Sequence, residues 1–243
     1  MSCFSVSHHC QLLIAHGNDQ IDLYDLSISS VKSREIPWNS NAYGLIRDIS
    51  WSKHINAFLV LGQDVLCSYS PLANQFQIHL NLSSMHDRFW SMTVLGCETF
   101  VLHRNDQLHR YCLSSWTLTQ QWSRQQLILD DSIDKYLEQI RAHEAIGLLA
   151  VLIRLRNEQR WRIDIFDRQM QRLYTGESLR MASVYPRLML QPFGQHGRWT
   201  LTNENKIWIV NFNGHFLERS SRKSVRSNSN NNNENNNNNN KST

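Results

Sequence analysis

The sequence predicts an all-β protein assembled from about five copies of one four-stranded unit, and three observations lead there. First, short runs that alternate apolar and polar residues recur along the chain as far as Leu217. Examples are Ile21–Tyr24, Val65–Tyr69, Leu108–Tyr111, Arg162–Phe166 and Ile207–Phe212, each rich in β-branched or aromatic residues. Second, each run carries an aromatic near its end followed by a small or polar residue: Tyr24, Tyr69, Tyr111, Phe166 and Phe212. The spacings between these aromatics are 45, 42, 55 and 46 residues. Third, a strongly apolar run and a tight turn precede each aromatic-ended run. Four short strands with their turns occupy about 40–45 residues in one blade of a β-propeller, so the period is that of a blade.

The repeats lie near 1–38, 45–82, 89–122, 136–180 and 184–217. Their apolar strands are Leu12–Ala15, Phe58–Leu61, Phe100–Leu102, Leu148–Leu155 and Trp199–Leu201. Turns rich in Gly, Asn and Asp follow, because these residues tolerate positive φ or bond to their own backbone. An inner strand is predicted ahead of four hairpins, at Leu45–Trp51, Phe89–Leu95, Tyr136–His143 and Val184–Leu190, and Phe4–Ser7 serves the first repeat. Polar outer strands follow, as in Val31–Ile36 and Phe76–Leu82. The single long spacing is explained by an insertion between Trp122 and Tyr136, read as an inter-blade loop carrying a turn of helix. The five units form a small closed ring or an open, incomplete one; the strand pattern fits both.

The unit resembles a WD-type repeat, in which an apolar strand, an Asp-bearing turn and a strand ending in aromatic-Asp follow one another. The residues that carry the resemblance are 12–25 in the first repeat, Leu-Leu-Ile-Ala-His-Gly-Asn-Asp-Gln-Ile-Asp-Leu-Tyr-Asp, and Ile49–Ser52 with Phe58–Asp64 in the second. The repeats depart from the pattern in lacking the Trp-Asp dipeptide and the Gly-His pair. The resemblance implies a propeller over residues 1–217 that acts as a platform for other proteins.

Beyond Leu217 the chain is basic and then asparagine-rich, with no apolar surface to offset its ordering entropy, so residues 218–243 are expected to be a disordered tail. Serines among its arginines suit a basophilic kinase or a weak nuclear-import signal, although a solvated tail is the plainer reading. The tail also holds most of the net charge of +4, carrying five of the 25 basic residues against two of the 21 acidic ones. The body is therefore close to neutral, and nucleic acid is not the expected partner. No apolar run approaches the roughly 20 residues of a membrane-spanning helix. The first residues lack a secretory pattern, which gives a cytoplasmic expectation with the nucleus open and leaves the sequon at Asn81 without meaning. Five scattered cysteines with no CxxC pair read as free, buried thiols.

No phosphate-cradling glycine loop, HExxH or GxSxG elbow is present, so no catalytic residue, cofactor or metal is assigned and the chain is read as a non-enzyme. Cys3, His8, His9 and Cys10 are metal-ligand types, but adjacent histidines on a strand face opposite ways. Partner contacts are sought in two places. Of eight tryptophans, Trp51, Trp90, Trp199 and Trp208 sit inside strand patterns and are expected in the core, whereas Trp38, Trp116 and Trp122 stand near turns or outer strands, where an exposed Trp suits a contact surface. Asp130, Asp131 and Asp134 lie in the insertion, where they suit a basic peptide or, more plainly, a solvated loop with a helix start.

The expected function is a non-catalytic scaffold that holds partner proteins or peptides in an intracellular assembly. Two alternatives make distinct demands. A propeller hydrolase or carbohydrate-binding module needs carboxylates or histidines such as Asp48, His86 and Glu138 gathered in one funnel. An RNA-binding propeller needs Arg104, Arg154, Arg156 and Arg160 gathered on one face.

Overall fold

The computed structural model describes residues 3–16, 19–27, 31–82, 87–128, 135–155, 160–180, 189–194, 197–202 and 206–221. They form five antiparallel sheets, each a meander whose strands pair in chain order. Blade 1 is β1 (Cys3–Val6), β2 (Gln11–His16), β3 (Gln20–Asp25) and β4 (Val31–Pro37). A single turn of helix, α1 (Ser40–Tyr43), leads to blade 2: β5 (Ile46–Ser52), β6 (Ala57–Gly62), β7 (Val65–Ser70) and β8 (Gln75–Asn81). Blade 3 comprises β9 (Phe89–Leu95), β10 (Glu98–His103), β11 (Leu108–Cys112) and β12 (Leu118–Trp122). After α2 (Arg124–Leu127), blade 4 is β13 (Lys135–His143), β14 (Leu148–Leu155), β15 (Arg160–Phe166) and an outer strand in two pieces, β16 (Arg172–Tyr174) and β17 (Leu179–Arg180), both paired to β15. Blade 5 is β18 (Met189–Phe193), β19 (Arg198–Thr202), β20 (Lys206–Val210) and β21 (Phe216–Ser221).

The inner, apolar, aromatic-ended and outer strands thus appear in the expected sequence, and the insertion does carry a helical turn. Its start is fixed by a reciprocal cap between Ser123 and Gln126. Three details differ from expectation. The inner strand of blade 5 begins at Met189, and 184–188 lie outside the described residues. Phe212 is not the end of its strand: it lies exposed beyond β20, edge-on to Tyr174, while Val210 pairs with Trp199 and fills the core position. β21 runs on to Ser221, past the Leu217 boundary, and 222–243 lie outside the described residues.

Alternation along the middle strands sends side chains to both faces of each blade, and stacking blades buries both. Four apolar clusters result, one at each junction of consecutive blades. Leu13, Ile21 and Trp38 meet Ile49, Phe58 and Tyr69 between blades 1 and 2, and Leu59, Leu61 and Leu66 meet Phe89, Met92 and Val101 between blades 2 and 3. Phe100, Leu102 and Trp122 meet Leu137, Val151 and Ile153 next, and Leu152, Ile163 and Ile165 meet Leu190, Trp199 and Trp208 last. Among the described residues no fifth cluster joins blade 5 to blade 1. Phe4 and Val6 of β1 are more than two-fifths exposed. Among the described residues no helix is long and apolar enough to cross a membrane.

Candidate functional site

The five inner strands run in the same sense around a central channel, and side chain-to-backbone hydrogen bonds stitch each to the next. The Trp51 amide donates to Ser5 Oγ at 2.9 Å, the Met92 amide to Asp48 Oδ2 at 3.0 Å, and the Ile140 amide to Ser91 Oγ at 3.3 Å. The Ala142 amide donates to Thr93 Oγ1 at 2.8 Å and the Leu190 amide to Gln139 Oε1 at 2.7 Å. Asp48, Ser91 and Gln139 occupy one equivalent position in three successive blades, two residues after the buried Ile46, Phe89 and Leu137. The deepest node joins blades 2, 3 and 4. Arg141 forks onto Asp48, Nη1 to Oδ2 at 2.7 Å and Nη2 to Oδ1 at 2.8 Å, while Nη1 also reaches Ser91 Oγ and the Met92 carbonyl. Burial, with the nearby Asp48 carboxylate adding to it, pushes the Cys3 thiol up to about 12, which leaves that cysteine protonated and unreactive.

At the end of the channel where the inner strands finish, all five blades line a cavity of about 440 Å³. Phe4, Val6 and His8 contribute from blade 1, Trp51 and Lys53 from blade 2, Thr93 and Val94 from blade 3, Glu144 from blade 4, and Gln191 and Pro192 from blade 5. The half-buried Trp51 donates its indole N–H to His8 Nδ1 at 3.1 Å, and Lys53 and Glu144 bridge the mouth at 3.0 Å. The lining mixes apolar, aromatic and charged side chains with no pair of opposed carboxylates.

The other end of the channel, about 20 Å away along the strands, is built on three β-bulges. The register of β5 with β6 skips Arg47, that of β9 with β10 skips Trp90, and that of β13 with β14 skips Glu138. Bulges re-aim a side chain, and here they aim three at one another. The Arg47 guanidinium lies 5.0 Å over the Trp90 ring, the Trp90 indole donates to the Glu138 carbonyl at 3.0 Å, and the Glu138 carboxylate contacts Arg154 at 2.6 Å. Burial raises Glu138 above the usual carboxylate range, opposed by Arg154. Burial also pulls Arg47 below its ordinary value, and the charges of Arg104 and Arg88 add to that against Asp64.

Among the residues singled out in the sequence, Trp38 and Trp122 are corrected to core positions. Trp38 is 3% exposed, packed on Tyr43 and Phe76 with its indole N–H on the Gly44 carbonyl; Trp122 is 7% exposed and stacked on Phe100. Trp38 is covered by Phe76 of the next blade, and Trp122 lies against Phe100 of its own blade within the cluster shared with blade 4. Trp116 is half-buried and lies flat against His79, with ring centroids 3.6 Å apart. Asp130, Asp131 and Asp134 lie outside the described residues. Trp199 and Trp208 are core residues, as expected, but Trp51 and Trp90 are half-buried at the two channel mouths. Cys3 and Cys67 are buried thiols, whereas Cys10 is exposed and Cys97 and Cys112 are half-buried.

The residues demanded by the alternatives also find places. Asp48 and Glu138 do not share a funnel, since each is tied to an arginine, and His86 lies outside the described residues. Arg104 sits in the β10–β11 turn, and Arg154 and Arg160 lie in the paired ends of β14 and β15 on the same side as the bulged rim; Arg156 lies outside the described residues. Nothing in the identities of Arg47, Trp90 and Glu138 marks them as equivalent, so the bulged rim was not foreseen from the sequence.

No family model and no curated protein matches the chain. Solved structures do. The β-propeller domain of Cps50 (Swd1) from Myceliophteria thermophila superposes with a TM-score of 0.58 at 12% identity, over 91% of this chain and 73% of that one. A chain of the mitotic checkpoint complex superposes with a TM-score of 0.59 at 10% identity, over 90% of this chain and 63% of that one. The architecture is that of a β-propeller. The chain spans less than two thirds of the second neighbour's length and about three quarters of the first's. The buried carboxylates of its blades are met by cations: Asp22 by Lys32, Asp48 by Arg141, Asp106 by Arg124, and Asp164 by Arg162 and Arg172.

Proposed function

We propose that the chain is a non-catalytic protein-interaction scaffold, cytoplasmic or nuclear, which holds partner proteins within a larger assembly. The observation that carries this reading is the cavity to which all five blades contribute. It is chemically mixed, with aromatic, apolar and charged groups held on a frame cross-linked through the backbone, as suits a polypeptide segment. Strands hold Trp51, Thr93 and Gln191, and turns directly after the inner strands hold His8, Lys53 and Glu144, which limits the ordering entropy that opposes docking. One neighbour in fold is, by its name, part of a checkpoint complex, which fits the same use.

The test is affinity purification of the full chain from its native extract, run beside Trp51→Ala and Lys53→Glu variants. A defined set of proteins at fixed stoichiometry, depleted in both variants, is the expected result. A stable, partner-free monomer, or a complex indifferent to both substitutions, would overturn the reading.

A further inference from the structure

The bulged rim holds a cation that forms no contact ion pair, the Asp64 carboxylate acting on it only from a distance. Arg47 is half-buried, its Nε is shielded from solvent and hydrogen-bonded to nothing, and its guanidinium rests on the face of Trp90. Two more arginines stand beside it. Arg88 immediately precedes β9 and reaches Asp64 only loosely, at 3.7 Å. Arg104, exposed in the β10–β11 turn, is held at Arg88 by the bond from its amide to the Arg88 carbonyl at 2.8 Å.

Like charges so placed repel one another, and a buried guanidinium nitrogen with no acceptor is costly unless something else gains by it. The bulge at Arg47 is what puts the charge there; a regular strand would send this side chain elsewhere. We propose that Arg47, Arg88 and Arg104 receive an anionic side chain, carboxylate or phosphorylated, of an extended partner polypeptide, with Trp90 as the floor of the site. This rests on the scaffold reading and assigns the chemistry of one of its partners' contacts.

The surroundings favour a peptide over a nucleic acid. A phosphate backbone needs a run of uncompensated cations. Here Asp64, Asp87, Asp106 and Glu138 flank the three arginines, and Arg124 and Arg154 already face acids. One anionic group finds three donors; the next phosphate along would meet carboxylates. A planar guanidinium fixed on an aromatic face also suits the fork geometry of a single carboxylate or phosphate.

The test displays random heptapeptides to the immobilised full chain and to Arg47→Glu and Arg104→Glu variants. Arg104 is exposed, so its replacement leaves packing untouched and keeps the result interpretable if Arg47→Glu unfolds. Wild type should enrich peptides centred on Asp or Glu, and both charge reversals should abolish that bias and weaken a chosen acidic peptide by about tenfold or more, the loss of one charge-assisted bond. Replacing the central acid of that peptide by phosphoserine should keep or tighten binding, and by Ala should lose it. Enriched peptides without acidic bias would overturn the anion site and leave the scaffold standing; no enriched peptide would count against both. Tight binding of a 20-nucleotide polyuridine that is lost in Arg104→Glu would overturn the peptide assignment in favour of RNA.

Discussion

Cutting the buried Asp48–Arg141 pair is the sharpest test of how the blades are held together. Asp48 is 2% exposed and Arg141 9%, and they come from blades 2 and 4 with Ser91 and Met92 of blade 3 between them. Asp48→Ala removes the acceptor of two forked bonds from Arg141, one from Ser91 Oγ, one from the Met92 amide and one from the Ile49 amide, and leaves a guanidinium buried without its counter-charge. Breaking such a pair from one side costs about 3–5 kcal/mol, which for a domain of this size lowers Tm by about 6–20 °C. Replacing both partners by apolar residues of similar volume, Asp48→Leu with Arg141→Met, removes the unpaired charge. It strands only the Ser91 hydroxyl and backbone groups, so the double variant should lose about 1–3 kcal/mol. Urea unfolding of wild type, Asp48→Ala, Arg141→Met, Asp48→Leu and the Leu/Met double variant measures each term. The cycle of Leu and Met substitutions should show a coupling above about 2 kcal/mol. Single variants that each cost less than about 1 kcal/mol, or costs that add to within about 0.5 kcal/mol, would refute the idea that this node ties three blades.

Three further outcomes are expected. Burial holds His79 and His109 down at about 4, so the unfolded chain takes up their protons first as pH falls; stability should be complete above the ordinary histidine range near 6.5 and decline towards pH 4. His109→Gln should flatten that decline by up to about 1 kcal/mol per pH unit, and an unchanged slope in urea melts between pH 7 and 4 would refute it. Trp116→Ala strips the ring stacked on His79, so the His79 titration followed by NMR should rise from about 4 towards its ordinary value; no movement would mean that Trp116 does not bury it. At Gly62 an added Cβ runs into the Tyr43 carbonyl and comes within 2.9 Å of the Trp38 ring, so Gly62→Ala should cost about 1–3 kcal/mol in the same melts, and a neutral result would show that α1 moves freely.

Much of the fold was legible because its requirements repeat in kind. A strand that faces two neighbouring blades must be apolar on both sides, which is why Phe58–Leu61 and Leu148–Leu155 stand out, and the turns after them need residues that tolerate tight geometry. The Tyr24, Tyr69, Tyr111 and Phe166 landmarks fall within or at the end of the third strand. Phe212 misled because a strand pattern does not say where pairing stops: β20 ends at Val210, and the aromatic two residues later belongs to the turn. Trp38 and Trp122 misled for the opposite reason. Their neighbours in sequence are polar, but the surface that covers them comes from residues far along the chain, Phe76 for one and Phe100 for the other.

The channel and its rims escaped sequence reading because what repeats there is a role rather than a residue. The position that ties one inner strand to the next requires only an acceptor able to reach a backbone amide, and Asp48, Ser91 and Gln139 meet that requirement with three unrelated side chains. The bulge requires still less, since it is a property of pairing with the next strand, and it sets Arg47, Trp90 and Glu138 into equivalent places with no residue type in common. That freedom has a physical consequence. A position to which the fold assigns no residue type is available for chemistry. In this chain it carries a cation, an aromatic and an acid in consecutive blades: Glu138 is paired with Arg154, Trp90 bonds to the Glu138 carbonyl and lies under Arg47, and Arg47 keeps a buried Nε with no acceptor.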